Sequence, residues 1–428
     1  MTPPEPPEPE ELLEEGELPD ADELPEPAEP AKPLLRLTEP LPAVVDTSDT
    51  LDRVATRIAA GTGPIAVDAE RASGYRYSQR AYLVQLRRDG AGTALVDPTT
   101  FDDLNGLATA MADAEWVLHA ATQDLPCLAE VGLVPSRLFD TELAARLLNL
   151  RRVGLATLVE ELLGARLAKE HSAVDWSTRP LPVPWLEYAA LDVEVLLELR
   201  GLLAAQLEEA GKDGWAEEEF TALATFTGPE RRPDPWRRTS GIHKVRGRRA
   251  LGVVRKLWEA RDQLAADRDV TPGRLLSDAA IVEAATALPR GRQATQQLSG
   301  MRHRQSRRHL EHWMEAIEQS LAVPEAELPP MSGTTEGLPP PRVWPDRNPP
   351  AAARLTGCRT VVAELCATHN LPAENLLLPE AVRRLAWSPP DPADEQAVAE
   401  FLRSAGAREW QVGLTAGRFA AAMDDVAG

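Results

Sequence analysis

Three short apolar segments near the start of the chain limit its fold most, because only turn-like residues separate them. Residues 65–70, 81–87 and 94–97 each predict a strand, and Gly74 and residues 90–92 lie in the two connections. Strands joined this closely are typical of an antiparallel meander.

The segment after the meander predicts one further strand and then helices. Residues 116–120 have strand character, and helical spacing follows at residues 125–131, 141–148, 155–163 and 184–209. Strands and helices that alternate in this way predict an α/β fold with a mixed sheet flanked by helices.

Proline-rich segments divide the rest of the chain. Residues 228–236 and 324–350 read as linkers, and the segments that follow them have helical character. We therefore expect a disordered, acidic, proline-rich tail at 1–35, an α/β domain at 36–226, and helical domains at 236–322 and 340–426.

The net charge of −21 is concentrated at the N-terminus, where residues 1–33 hold 12 acidic residues, one lysine and 10 prolines. The whole-chain charge therefore does not exclude a nucleic-acid ligand. Three cysteines without Cys-x-x-Cys spacing argue against a disulfide framework or a zinc site, so we expect a reducing, cytoplasmic environment. We expect neither a signal peptide nor a membrane span.

The first meander strand ends in an Asp-x-Glu pair. Residues two apart in a strand project to the same face, so Asp68 and Glu70 point together while Val67 and Ala69 can be buried. Two carboxylates at a strand end suit a hard divalent cation. The alternative is a solvent-facing strand edge, because Asp-x-Glu is common.

Three further residues can join this pair. Asp124 follows the 116–120 strand near the predicted start of a helix, where an acid also suits the helix dipole. Tyr188 and Asp192 are four apart in a predicted helix and so share a face, either toward a cleft or as a surface pair.

In combination, these four carboxylates and the tyrosine resemble the DEDD exonuclease signature in its tyrosine variant, and residues 40–322 are similar to the ribonuclease D family. Other segments fit that family: Tyr77, Leu83-Val84-Gln85-Leu86, His119-Ala120, Phe139-Asp140-Thr141, Lys169, Asp175-Trp176, Arg179-Pro180-Leu181 and Tyr188-Ala189-Ala190.

The helical segments resemble the same family. Residues 236–322 are similar to the HRDC module, through Trp236-Arg237, Trp258-Glu259-Ala260-Arg261, Pro272-Gly273-Arg274-Leu275-Leu276 and Asp278-Ala279-Ala280-Ile281. Residues 340–425 lie where family members carry a second, more divergent bundle. The resemblance implies a ribonuclease H-like exonuclease domain followed by two all-α HRDC-type bundles.

The resemblance also implies roles in two-metal hydrolysis with Mg²⁺ or Mn²⁺. Asp68 would bridge the two ions, Glu70 and Asp192 would complete the site of the ion that activates water, and Asp124 would hold the second ion. Tyr188 would orient the attacking water, and His119 is interpreted as structural.

The chain departs from the family pattern around the first motif. Ala69 and Arg71 replace the usual threonine and aromatic residue, and Ser78-Gln79 replace an aromatic-proline pair. These changes concern the surroundings of the RNA 3′ end more than the metal ligands.

Basic residues suggest where nucleic acid binds. Residues 230–256 hold 10 Lys/Arg against two acids, and residues 289–310 hold six Arg and no acid. Such local concentration is typical of a phosphate-binding surface, although it also suits a solvated helix face. The candidate nucleic-acid contacts are Arg71, Arg76, Tyr77, Gln85, Lys169, Arg179, Arg246, Arg248 and Arg249.

The leading hypothesis is a metal-dependent 3′→5′ exoribonuclease that trims tRNA precursors or other structured RNAs with a free 3′ end and releases nucleoside 5′-monophosphates. One alternative is a DNA 3′→5′ exonuclease of the same fold. Another is a non-catalytic RNA-binding protein, although four clustered carboxylates have no use in RNA binding alone. The sequence identifies no protein partner.

Overall fold

The computed structural model describes residues 32–168, 171, 173–229, 233–332 and 337–427, with the side chains of 425–427 left out. Nearly all of the predicted acidic tail therefore lies outside the described residues, and so does Lys169.

One mixed sheet forms the centre of the α/β domain. Its strands are β1 (Val44–Val45), β2 (Thr62–Arg71), β3 (Ala81–Asp89), β4 (Gly92–Val96), β5 (Glu115–Leu118) and β6 (Arg137–Asp140), in the order β1-β4-β3-β2-β5-β6. The predicted meander is confirmed, since β3 pairs antiparallel with both β2 and β4. Strands β5 and β6 extend the sheet in parallel from β2. The sequence pattern predicts neither β1 nor β6.

Helices flank this sheet, as predicted. They are α1 (Ser48–Ala60), α2 (Asn105–Met111), α3 (Leu125–Glu130), α4 (Thr141–Leu147), α5 (Leu155–Leu158), α6 (Val183–Glu194), α7 (Leu196–Glu209) and α8 (Asp213–Ala224). A π-helical turn at Val159–Leu163 continues α5.

The single helix predicted at 184–209 is wrong, because the chain divides at Val195 into α6 and α7. The two helices follow different parts of the sheet: α6 packs against β2, β3 and β4, whereas α7 packs against β2 and β5. Apolar residues run through the division, so periodicity does not reveal it.

The two faces of the sheet have separate hydrophobic partners. Val84 and Leu86 of β3 join the larger core, while Leu83 joins a smaller cluster with Trp176 and Ala190. Because of this alternation, α6 packs over the sheet face that also carries Asp68 and Glu70 at the end of β2.

Two helical bundles follow the α/β domain. The first bundle (residues 235–328) contains α9 (Arg248–Arg268), α10 (Pro272–Leu275), α11 (Asp278–Ala287), α12 (Gly291–Gln297), α13 (Arg304–Arg308) and α14 (Leu310–Ala322). The second bundle (residues 341–427) contains α15 (Trp344–Arg347), α16 (Pro349–His369), α17 (Ala373–Leu376), α18 (Pro379–Trp387), α19 (Glu395–Ser404) and α20 (Glu409–Ala427).

The second bundle packs directly on the α/β domain. The Lys212 Nζ donates hydrogen bonds to the Leu147 oxygen (2.6 Å) and to the Asn370 oxygen (2.9 Å). The Trp215 ring stacks on Trp410 with centroids 4.6 Å apart. The second bundle and the larger sheet core thus form one hydrophobic cluster, whereas the first bundle has its own. The domain boundaries given above stay a prediction.

All three cysteines are free thiols, two of them buried. Among the described residues, none of the helices combines the length and apolar character that a membrane crossing requires.

Candidate active site

One cleft of about 740 Å³ brings together the five residues that the sequence selects. Strand β2 contributes Asp68 and Glu70, and α6 contributes Tyr188 and Asp192. Asp124 lies at the N-terminal end of α3. Three different elements therefore converge on one opening.

Three of the carboxylates lie close enough to share a cation. One carboxylate oxygen from each of Asp68, Glu70 and Asp192 lies within 4.8 Å of the others. Val67 and Ala69 alternate with the two β2 acids and belong to the larger core, so packing fixes the direction in which Asp68 and Glu70 point. An all-oxygen ligand set suits a hard divalent cation such as Mg²⁺ or Mn²⁺.

The electrostatics of the cluster favour such a cation. Burial raises the pKa of Asp68 to about 6. Burial, followed by the charges of Asp68 and Asp192, raises the pKa of Glu70 well above its usual range. Burial and then the Asp68 charge likewise raise the pKa values of Asp124 and Asp192. Four carboxylates that resist ionisation together fit a site that a divalent ion neutralises.

A buried aspartate organises the turn that presents Asp124. The Asp140 carboxylate accepts hydrogen bonds from the backbone N–H groups of Ala120 (3.1 Å) and Ala121 (2.8 Å). It also accepts from Glu142 (2.8 Å) and Leu143 (3.1 Å) at the start of α4. Asp140 thus joins β6, α4 and the turn before α3. The sequence resemblance includes Asp140 but gives no sign of this role.

His119 lines the cleft but has a structural partner. Its Nδ1 lies 2.9 Å from the Thr141 hydroxyl, and that hydroxyl also lies 3.2 Å from the Leu118 oxygen to which it donates. Burial lowers the pKa of His119 to about 4. The ring is therefore neutral at physiological pH.

Tyr188 keeps its proton in this environment. Burial, then the charges of Asp192 and Glu70, raise the pKa of the Tyr188 hydroxyl. The centroid of its ring lies 6.5 Å from the ring centroid of the fully buried Trp176. The hydroxyl is consequently a hydrogen-bond donor, and the packed ring limits where it points.

Of the candidate RNA contacts in the α/β domain, Arg71 lines the cleft, but four others have a different environment. Gln85 is 0% exposed and lies opposite Asp68 in the β2–β3 register. Its side chain is therefore not accessible to RNA in solution. Arg179 binds the Asp97 carboxylate (2.5 Å) and the Tyr82 oxygen (2.7 Å). Arg76 and Tyr77 also bind other parts of the protein, as described below.

The arginines at the start of α9 also have partners within the protein. Arg248 donates to the Leu328 oxygen (2.5 Å), and Arg249 donates to the Val323 oxygen and pairs with Glu325 (3.2 Å). Both guanidinium groups thus hold the segment after α14. Arg246 is exposed, and its one partner within the described residues is the nearby His243 oxygen.

Comparison with known families gives three matches along the chain. Residues 42–208 match a family described as 3′-5′ exonuclease, and residues 250–317 match the HRDC domain. Residues 337–423 match a family described as the 3′ to 5′ exonuclease C-terminal domain. The order agrees with an exonuclease domain followed by two helical bundles.

Curated relatives decide the family. Ribonuclease D of Acidiphilium cryptum is 32% identical over 363 residues, which cover 81% of this chain and 87% of that protein. The chain belongs to the ribonuclease D family. Ribonuclease D of Gluconacetobacter diazotrophicus is 30% identical over 82% of this chain and 87% of its own length.

Solved structures agree with membership in the ribonuclease D family. A protein from Bifidobacterium adolescentis superposes with a TM-score of 0.83 at 39% identity and covers 92% of this chain and 100% of its own. Escherichia coli RNase D, described as an exoribonuclease involved in structured RNA processing, has a TM-score of 0.61 at 26% identity, with 80% and 89% coverage. The protein is a 3′→5′ exoribonuclease whose fold implies dependence on divalent metal and whose ligand is RNA.

Proposed function

We propose that this ribonuclease D family enzyme trims the 3′ ends of tRNA precursors or similar structured RNAs and releases nucleoside 5′-monophosphates. The observation that carries the proposal is the convergence of Asp68, Glu70, Asp124 and Asp192 on one cleft beside Tyr188. The Escherichia coli relative, described as processing structured RNA, supports this substrate class.

In this proposal the four carboxylates hold two divalent ions. Asp68 acts on all three of the other acids, since its charge raises the pKa of Glu70, Asp124 and Asp192. We assign Glu70 and Asp192, with Asp68, to one ion and Asp124, with Asp68, to the other. When bound, the ions supply an activated water and stabilise charge on the scissile phosphate and the leaving 3′ oxygen.

Tyr188 positions the attacking water in this proposal. Because its hydroxyl stays protonated, it acts as a hydrogen-bond donor rather than removing a proton, to Asp192 in this structure and to the water oxygen in the proposed complex. Arg71 faces the same cleft, where its guanidinium group can contact a phosphate of the 3′-terminal nucleotides.

We expect Tyr188→Phe to lower kcat by about a hundredfold with little change in KM, because the ring remains while the positioning hydrogen bond is lost. Single-turnover and steady-state kinetics on a labelled RNA would measure this. The variant should still show the thermal stabilisation by Mg²⁺ of the wild type, because all four carboxylates remain. A raised KM with unchanged kcat would instead place the hydroxyl in ground-state RNA binding.

The substrate proposal is tested with matched 5′-labelled molecules: a tRNA with a 3′ extension, an unstructured RNA, and the unstructured sequence as DNA. Each is incubated with Mg²⁺, Mn²⁺ or EDTA. We expect metal-dependent shortening from the RNA 3′ end that stops near the mature tRNA end. Complete digestion of both RNAs at equal rates would contradict a preference for tRNA precursors, and digestion of DNA alone would favour a DNA exonuclease.

The first bundle has an exposed basic cleft. Arg304, Arg307 and Arg308, with Gln305, line a cleft of about 470 Å³. Within the part of the chain that the structure describes, these three guanidinium groups have no hydrogen-bond or ion-pair partner. We propose that this basic cleft, rather than Arg248 and Arg249, binds the RNA backbone.

Replacing Arg304, Arg307 and Arg308 with alanine should weaken binding of a long single-stranded RNA and reduce the log–log salt slope by about 2, at about 0.7 per phosphate contact. Fluorescence anisotropy across a salt series measures both quantities. The matched variant Arg248→Ala/Arg249→Ala should instead lower the thermal midpoint, because carbonyls after α14 lose their donors. An unchanged slope in the triple variant would remove the basic cleft from the RNA path.

A further inference from the structure

The loop between β2 and β3 connects the active site to the first bundle. This active-site loop (residues 72–80) begins two residues after Glu70, and Ser73 and Gly74 line the catalytic cleft. Its only internal backbone bonds run from the Tyr75 and Arg76 N–H groups to the Ala72 oxygen, within the described residues. The loop therefore depends on other parts of the chain for its conformation.

The residue that ends α9 supplies part of that support through its carboxylate. Asp269 accepts hydrogen bonds from the Ser78 backbone N–H (2.8 Å) and from the Tyr82 hydroxyl (3.4 Å). A second acid of the bundle, Asp262, accepts from the Tyr77 hydroxyl (3.1 Å). The far end of the loop is thus tied to α9.

The segment after α9 binds the near end of the loop. The Thr271 N–H donates to the Tyr75 oxygen (3.0 Å), and the Arg274 Nε donates to the Gly74 oxygen (3.0 Å). The Arg274 guanidinium group also lies 4.1 Å above the centre of the Tyr75 ring. Gly74 lines the catalytic cleft, so this contact holds a part of the cleft wall.

The same loop contacts the segment that leads to Tyr188. The Arg76 Nε donates to the Ser177 hydroxyl (2.8 Å). Trp176, the neighbour of Ser177, packs fully buried beside the Tyr188 ring. A displaced loop would therefore disturb both Glu70, two residues before it, and the support of Tyr188.

We propose that Asp269 and Arg274 of the first bundle are positioning residues for the exonuclease site, because they fix the active-site loop before RNA binds. This inference rests on the proposed function of the cleft. Holding a loop residue in one backbone conformation costs conformational entropy, and contacts with the bundle offset this cost before substrate arrives. The first bundle therefore supports the chemistry itself, in addition to binding RNA.

Asp269→Gly is the main test, because Asp269 terminates α9 with φ 45°, a conformation that glycine adopts readily. The variant thus removes the carboxylate and keeps the helix end. Arg274→Ala is an independent second variant. Asp269→Asn retains one acceptor oxygen for the Ser78 N–H and should restore part of the activity. The control is Asp267→Ala, since Asp267 is exposed and, among the described residues, binds only Gln263.

The assay uses a three-nucleotide RNA in Mg²⁺, which minimises contact with the basic cleft, together with hydrogen exchange of the loop amides. For Asp269→Gly and Arg274→Ala we expect kcat to fall about tenfold or more. Exchange of the Ser78 amide should become faster, and the thermal shift caused by Mg²⁺ should persist. Asp267→Ala should match the wild type in every measurement.

Two outcomes would overturn the inference. Faster loop exchange with wild-type kcat and KM would show that the loop needs no fixing, and unchanged exchange would show that the bundle does not hold it. If the wild type cleaves no RNA, the proposed function fails instead, while the exchange experiment still decides whether Asp269 fixes the loop.

Discussion

Asp192→Asn should abolish RNA cleavage, with a fall in kcat of at least about a thousandfold, because the cleft then loses a charged ligand for the ion that activates water. The amide is nearly the same size as the carboxylate, so α6 should keep its packing. A time course on 5′-labelled RNA with Mg²⁺ or Mn²⁺ would measure the residual rate.

The matched control is Glu187→Gln, which makes the same chemical change at an exposed position of the same helix. It should cleave RNA at the wild-type rate. Substantial cleavage by Asp192→Asn in Mg²⁺ would show that the carboxylate of Asp192 is not needed and would remove it from the proposed set of ligands.

The metal-free enzyme should become more stable when Asp68 loses its charge. Burial raises the pKa of Asp68 in the folded protein from 3.8 to about 6, so the folded state disfavours its ionisation. The resulting loss of stability begins as pH rises above about 4 and is complete above about 6. Asp68→Asn should therefore stabilise the metal-free protein at pH 7.5 by on the order of 3 kcal/mol.

Divalent metal should make the wild type more stable than Asp68→Asn. Mg²⁺ or Mn²⁺ binds the folded wild type and raises its thermal midpoint by mass action, whereas Asp68→Asn should show little response. Thermal melts of both proteins at pH 4, 5.5 and 7.5, with EDTA or metal, test the two effects together. A variant that is less stable than the wild type at pH 7.5 without metal would contradict the electrostatic argument.

Local patterns predicted the elements around the cleft well. The alternation that buries Val67 and Ala69 also points Asp68 and Glu70 into the cleft. The four-residue helical spacing places Tyr188 and Asp192 on one face of α6. These relations depend only on backbone periodicity, so the sequence contains them. The meander was equally predictable, because its connections are short.

Contacts between distant segments were not predictable in the same way. Arg248 and Arg249 look like an RNA-binding pair in the sequence, but their partners lie more than 70 residues away in the segment after α14. Gln85 gives no local sign of full burial, and Asp140 gives none of its four backbone bonds. Charge density indicates which residues can bind phosphate, but tertiary structure decides which remain available.

The stacking of Trp215 on Trp410 has a consequence for synthesis of the protein on the ribosome. Trp410 lies far along the chain from Trp215, so the α/β domain emerges long before the helix that covers its Trp215 face. Until then, an aromatic surface and the Lys212 ammonium group remain in water. This core therefore closes only after α20 has been made, and an α/β domain that lacks α20 would expose an apolar surface.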